Sequence, residues 1–305
     1  AEARRALRPG GIVAQWVPLY GQGLDQTRAM VRAAVDVFPE ASLWLDDHDG
    51  ILILQSGPFS VAPERFASRI RARGLARELA TTHYAELPDL LSLFVMGPRA
   101  LKRWSAGAPL LTDDRPFLEF AAARQVRDNL HRMPELYRSH LASLTGLADS
   151  LAAYLDAPTP ASLEIARNAA VIRDAFLSAG ARGEGDARGQ AEIYESALER
   201  LTLPSPLLQS RYRLLILTAA AAAYHDRQID DAIAMYQRGL EHDRDFGQAG
   251  IALALLHGQQ GRYAEARRDL DQVAHLDTLR DKIAEIRQMI DAREREPRPA
   301  PSPGR

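Results

Sequence analysis

The feature that most constrains this chain is a 34-residue periodicity near its carboxyl end. Placing Ala232 opposite Ala266 sets Arg227 against Gly261, Ile229 against Tyr263 and Asp231 against Glu265. The same offset sets Tyr236 against Leu270, Gly239 against Val273 and Asp243 against Asp277. Small residues at Ala232, Gly239 and Ala266 let helices approach closely, and Tyr236 and Leu270 fill the space between neighbouring pairs. A unit of this length cannot bury its apolar face alone, so it must stack on others. A degenerate copy lies upstream: Tyr194, Ala197 and Leu198 correspond to Tyr236, Gly239 and Leu240 at an offset of 42. The extra residues fall around Pro204 and Pro206, and Ile165, Ala169, Ile172 and Phe176 supply the copy's first helix. Ile283, Ile286, Met289 and Ile290 read as a capping helix after the last repeat.

Gly261-Arg-Tyr-Ala-Glu-Ala266 resembles the turn and second-helix start of tetratricopeptide repeats, and Ala232-x3-Tyr236-x2-Gly239 resembles their small–large–small pattern. The resemblance implies an all-α helical solenoid over residues 159–296, with a protein or peptide partner bound on its concave face. A solenoid that only caps or dimerises is the plainer alternative.

Residues 1–123 read as alternating α and β. Ile12 to Leu19 is an apolar run suited to a buried strand. Leu24, Thr27, Met30, Val31, Ala34, Val35 and Phe38 recur at helical spacing, closed by Pro39. Ser42–Leu45 and Ile51–Leu54 look like paired strands joined by Asp46-Asp47-His48-Asp49-Gly50, where Asp-Gly is a hairpin signal. Helices are expected near Pro63 and near Pro88, the second carrying Leu90, Leu91, Leu93 and Phe94. A final strand is expected at Pro116–Phe120. Residues 124–158 read as a helical linker, and residues 297–305 are a proline-rich tail with too little apolar surface to fold.

Leu7-Arg-Pro-Gly-Gly-Ile-Val-Ala-Gln15 and Thr112-Asp-Asp-Arg-Pro-Phe-Leu-Glu-Phe120 resemble spermidine synthase-like proteins, the polyamine aminopropyltransferases. The resemblance implies that residues 1–123 are the C-terminal part of a Rossmann-like methyltransferase fold, giving an α/β region followed by the helical array. In the complete protein it implies aminopropyl transfer from decarboxylated S-adenosylmethionine to a polyamine. Methyl transfer from S-adenosylmethionine is an alternative on the same fold. The family's glycine-rich cofactor loop and Asp-rich catalytic loop precede the helix in which this chain starts. Catalytic residues are therefore expected upstream of Ala1, and neither cofactor form is expected to bind these residues alone. On the substrate side, the resemblance points to Gln15 and Trp16, at the carboxyl end of a strand where ligands of open α/β sheets gather. Asp47, His48 and Asp49 stand at the hairpin tip, and Asp113 and Asp114 could hold a cationic amine. A solvated turn, a cap and a buried strand end are the bland counterparts. Val17 stands where the family carries an acid, which motivates a second reading as a non-enzymatic scaffold with a partner-binding solenoid.

Composition removes several classes. With no Cys, a disulfide framework, a thiolate metal site and a cysteine nucleophile are excluded. The eight His show no His-x3-His spacing, so no metal is expected. Thirty-eight basic against 40 acidic residues argue against a nucleic-acid partner. No apolar run approaches the roughly 20 residues that span a bilayer, so no transmembrane segment is expected in this chain. A cytoplasmic setting is expected, with tethering through an upstream membrane region as the alternative.

Overall fold

The structure, a computed structural model, describes residues 2–46, 48–111, 132–183 and 185–295. The chain divides into two compact units, Ala1–Ser210 and Arg211–Arg305.

The first unit opens with helix α1 (Glu2–Ala6), strand β1 (Ile12–Pro18), helix α2 (Leu24–Val37) and the strands β2 (Ser42–Asp46) and β3 (Asp49–Gln55). Short helices α3 (Pro63–Ala72), α4 (Ala76–Thr81) and α5 (Leu87–Leu91) follow, then strand β4 (Phe94–Met96) and helix α6 (Pro98–Ser105). Helices α7 (Met133–Leu144), α8 (Pro160–Arg182) and α9 (Ala187–Arg200) complete it. The sheet order is β1-β3-β2-β4, and every ladder among the described residues is antiparallel. Because β1 and β2 each run antiparallel to β3, they run in the same direction, linked by α2, with β3 inserted between them. Strands and helices thus mix as expected, but the sheet is small and antiparallel-laddered rather than an extended parallel one.

Alternation explains the packing. Leu43 and Leu45 of β2, Leu52 and Leu54 of β3 and Val17 of β1 face one core, closed by Val31, Val35 and Phe38 within and after α2 and by Leu101 and Trp104 of α6. Trp44 and Phe94 face the other way, toward Phe59, Val61, Leu91 and Leu151. The ring of Phe59 stacks on Phe94 at 5.6 Å between centroids.

Two expectations are corrected. Asp46 pairs directly with Asp49, so the hairpin turn holds only two residues and Asp49-Gly50 belongs to β3 rather than to the loop. The apolar run that reads as one helix from Leu90 to Phe94 is split: α5 ends at Leu91, and Phe94–Met96 pairs with β2 because burial on both sides favours a strand there. The expected strand Pro116–Phe120 lies outside the described residues, as does the proline-rich tail.

Helix α8 begins with Thr159 and Ser162 capping each other reciprocally and Pro160 in the first turn. It packs on α5, α7 and α9, so the helices carrying Ile165 to Leu198 belong to the sheet-bearing unit. Helix α10 (Pro206–His225) starts in that unit and continues into the second.

The second unit contains α11 (Ile229–His242), α12 (Gly247–Gln259), α13 (Tyr263–Gln272) and α14 (Arg280–Arg295). Helices α10 and α12 end at His225 and Gln259, and α11 and α13 begin at Ile229 and Tyr263, both separations being the 34 residues of the sequence repeat. Ala232 and Ala266 are fully buried, as the close helix approach requires. Gly261 adopts a left-handed backbone at φ 73°, and Arg227, its counterpart, does the same at φ 62°. A β-carbon on Gly250 would stand 2.5 Å from Val273, so the facing helices meet where only a hydrogen fits. Ile283, Ile286 and Ile290 of α14 are buried, as the capping-helix expectation requires.

Candidate functional site

The site is assembled at the end of the sheet where β1 and β2 both terminate. Asp49 pairs with Pro18 on one side and with Asp46 on the other, so it stands between the carboxyl ends of two strands of the same direction. The backbone of Leu19 donates to the carbonyl of His48 at 3.4 Å, closing the end of β1 against the hairpin tip. Tyr84 donates its hydroxyl to Asp46 Oδ1 at 2.7 Å. The His48 ring lies 4.6 Å from that of Tyr137 on α7.

Helix α7 is held there by a buried histidine. His140 Nδ1 donates to the Leu136 carbonyl at 2.8 Å, so Nε2 accepts the Thr27 hydroxyl of α2, also at 2.8 Å. Burial pushes the His140 pKa below its ordinary value and keeps the ring neutral. The bond spans 113 residues of chain, and nothing periodic in the sequence marks it.

Of the residues singled out from sequence, the structure brings some together and separates others. Trp16, Asp46 and Asp49 lie on one face, because Trp16 pairs with Ile51 and Asp49 is two residues from Ile51. Gln15 is on the opposite face, exposed, with its amide donating to the Trp16 carbonyl at 2.9 Å. Trp16 is 52% exposed and forms the open end of a cross-strand row, Trp16–Ile51–Trp44–Phe94, whose far end is fully buried. His48 is at the tip, and Asp47, Asp113 and Asp114 lie outside the described residues. Sequence reasoning misses Asp46, Tyr84 and Tyr137; only the acidic run beginning at Asp46 offers a signal.

Asp49 carries the chemical point of the site. It is half-buried, and its Oδ1 is enclosed with no hydrogen-bond donor among the described residues. An enclosed carboxylate oxygen is destabilised by about 1–3 kcal/mol or more unless a donor reaches it. An ammonium group satisfies it, and the neighbouring Trp16 ring suits the methylene stem of such a cation.

The second unit holds a groove of about 640 Å³ between α11 and α13. Gln237, Glu241, Arg244 and Gln272 line its rim, with Leu240 and Leu253 beneath. Asp269 also borders it, and its Oδ2 accepts from Nδ1 of buried His257 at 2.6 Å. Burial pushes the Asp269 carboxyl up, against the opposing bond from His257. Neither His257 nor Asp269 has a polar counterpart in the preceding repeat, where Ala223 and Met235 stand.

No family model, curated protein or solved structure matches this chain. Among the described residues, no helix is long and apolar enough to cross a membrane.

Proposed function

We propose that the first unit is the amine-binding part of a spermidine synthase-like protein and that the second is a tetratricopeptide-like array binding a peptide partner. The observation that carries the first half is Asp49: a carboxylate between the ends of two same-direction strands, with one enclosed oxygen lacking a donor among the described residues. The helix, strand, helix and strand-pair order of α1, β1, α2, β2 and β3 supports the closing half of a Rossmann-like sheet. In this reading Asp49 and Asp46 hold the protonated amine while Trp16 covers the chain behind it. A carboxylate so placed also accepts the proton that the nitrogen must lose before its lone pair can attack. The complete reaction joins that nitrogen to the propyl carbon beside the sulfonium of decarboxylated S-adenosylmethionine and breaks the carbon–sulfur bond. The 305 residues contain no Gly-x-Gly-x-x-Gly loop to cradle that molecule, so no residue of this chain is assigned to it.

Calorimetric titration of spermidine into the chain tests the reading. Saturable binding is expected, at least about tenfold weaker in Asp49→Asn, because a charged hydrogen bond is lost. Equal affinity of the two proteins would overturn it. A non-enzymatic scaffold is the second reading. It is favoured by Val17, which is fully buried in the core where the family carries an acid, and it predicts no heat with spermidine.

For the array, the groove between α11 and α13 offers the amides of Gln237 and Gln272 to an extended backbone and the Asp269 carboxylate to a basic side chain. Peptides selected from a displayed library are expected to lose binding to Asp269→Asn and Gln272→Ala.

A further inference from the structure

The segment from Glu64 to His83 carries two short helices that are exposed along most of their length. Helix α4 buries no residue and α3 buries only Pro63. Both ends of the segment are moored. At the root, Glu64 accepts from the Thr159 hydroxyl at 3.3 Å, and Val61 bonds the backbone on both sides of Leu155. At the far end Tyr84 is tied to Asp46. Between these anchors the chain turns at Gly74, whose φ of 67° few other residues tolerate, and α4 returns.

What this excursion presents is unlike the rest of the chain. Residues 63–83 contain five Arg, two Glu and no Lys, a net +3 within a chain whose total is −2. Arg65, Arg69 and Arg73 succeed one another at four-residue steps, about 6 Å apart along one side of α3. Arg65 pairs with Asp156 at 3.6 Å. Arg69, Arg71, Arg73 and Arg77 are exposed and make no side-chain ion pair among the described residues. Beside this row stand two bulky apolar side chains in solvent, Phe66 at 40% exposure and Leu75, at the turn, at 42%.

Guanidinium forks match phosphate oxygens two at a time, so the arginine row fits a surface of phosphates. The two apolar tips decide which surface. A solvated nucleic-acid backbone offers them nothing, whereas the headgroup boundary of a bilayer accepts both arginines and apolar side chains. We propose that residues 64–83 dock on an anionic lipid surface, with Arg69, Arg73 and Arg77 on lipid phosphates and Phe66 and Leu75 in the acyl boundary. This proposal is independent of the amine site.

The full chain is mixed with vesicles of phosphatidylcholine alone or of phosphatidylcholine with phosphatidylserine, and bound protein is measured by co-sedimentation. Binding is expected only with phosphatidylserine and is expected to weaken as salt rises. Each arginine contributes about fivefold, so Arg69→Gln/Arg73→Gln/Arg77→Gln is expected to bind roughly 100-fold more weakly. Arg188→Gln/Arg200→Gln/Arg268→Gln, which removes the same charge from other exposed positions, is expected to bind like the unmodified chain. Phe66→Ser/Leu75→Ser is expected to lose about tenfold. Should the Gln triple variant unfold by circular dichroism, the corresponding Lys triple must retain binding. Equal binding to both vesicle types overturns the proposal, as does equal loss in both Gln triples. Undiminished binding of the Ser pair, or tighter binding to single-stranded RNA than to the vesicles, also overturns it.

Discussion

Replacing Asp89 by asparagine is expected to remove a pH dependence that the native chain builds into its first unit. Asp89 is on α5 and fully buried. Its carboxylate accepts the Ser205 hydroxyl and, at 3.2 Å, the backbone N–H of Leu207. Ser205 in turn accepts from the backbone N–H of Leu208 at 3.1 Å, so the two side chains together satisfy the first turn of α10. Burial pushes the Asp89 carboxyl from 3.8 up to about 6; the nearby Glu86 adds to this, while the bonds from Ser205 and Leu207 and the charge of His83 oppose it. The native state therefore keeps a proton that the unfolded chain has already released. Stability from this group is fully present below pH 3.8 and is lost as pH rises through about 6. The full difference is about 3 kcal/mol, at roughly 1.4 kcal/mol for each tenfold change.

The Asp89→Asn side chain does not titrate, so the unfolding free energy of the native chain minus that of the variant should fall by about 2.4 kcal/mol between about pH 4 and pH 7. Urea unfolding followed by tryptophan fluorescence measures this cleanly, because all three tryptophans, Trp16, Trp44 and Trp104, are in the first unit. Parallel stability curves across that range would refute the reasoning, and so would a difference that grows with pH.

Three further outcomes are expected. Arg227→Gly should stabilise the second unit by about 1 kcal/mol, because the left-handed backbone at φ 62° strains any β-carbon; an unchanged thermal midpoint would count against this. Gly97→Ala should destabilise the first unit by about 1–3 kcal/mol, since its β-carbon would sit 2.3–2.6 Å from three atoms of Tyr154, and a urea midpoint equal to that of the native chain would contradict the packing. Thr27→Val should cost about 1–3 kcal/mol by leaving His140 Nε2 without its donor, measured by urea unfolding near neutral pH. In the unmodified chain, the His140 contribution is present above its ordinary pKa of 6.5 and is lost as pH falls through the lower native value.

Local signals are legible in the sequence wherever their cause lies within a few residues. Pro160 after Thr159 marks the start of α8 because the cap and the proline act on their own turn. Gly261 marks the left-handed turn before α13, while Arg227 does not, since only the alignment with Gly261 gives it away. The hairpin is evident from sequence but its turn is not: Asp-Gly is permissive for a turn, and cross-strand pairing of Asp46 with Asp49 selects a tighter one placed just before it. Strand β4 is hidden because a three-residue apolar segment following helical spacing carries no period of its own. For the site, the hairpin tip is legible as a region, and Trp16 does share a face with Asp49. From sequence Gln15 is expected at the same site, at a strand end, but it is the middle residue of β1 and the two-residue alternation turns it to the other face.

By itself the sequence determined the 34-residue helix pairs, the caps and turns that bound them, and the mixed character of the described residues up to 111. Periodicity and capping are consequences of backbone geometry repeated over neighbouring positions, so they are written where they act. Tertiary structure alone decided that β3 enters between β1 and β2, which is what sets Asp49 between two strand ends. It also joined Asp89 to Ser205 across 116 residues, braced His140 against Thr27, and left the arginines of α3 and α4 facing solvent. Contacts between distant positions are chosen by how whole faces bury together, and a single side chain carries no mark of the partner it will meet.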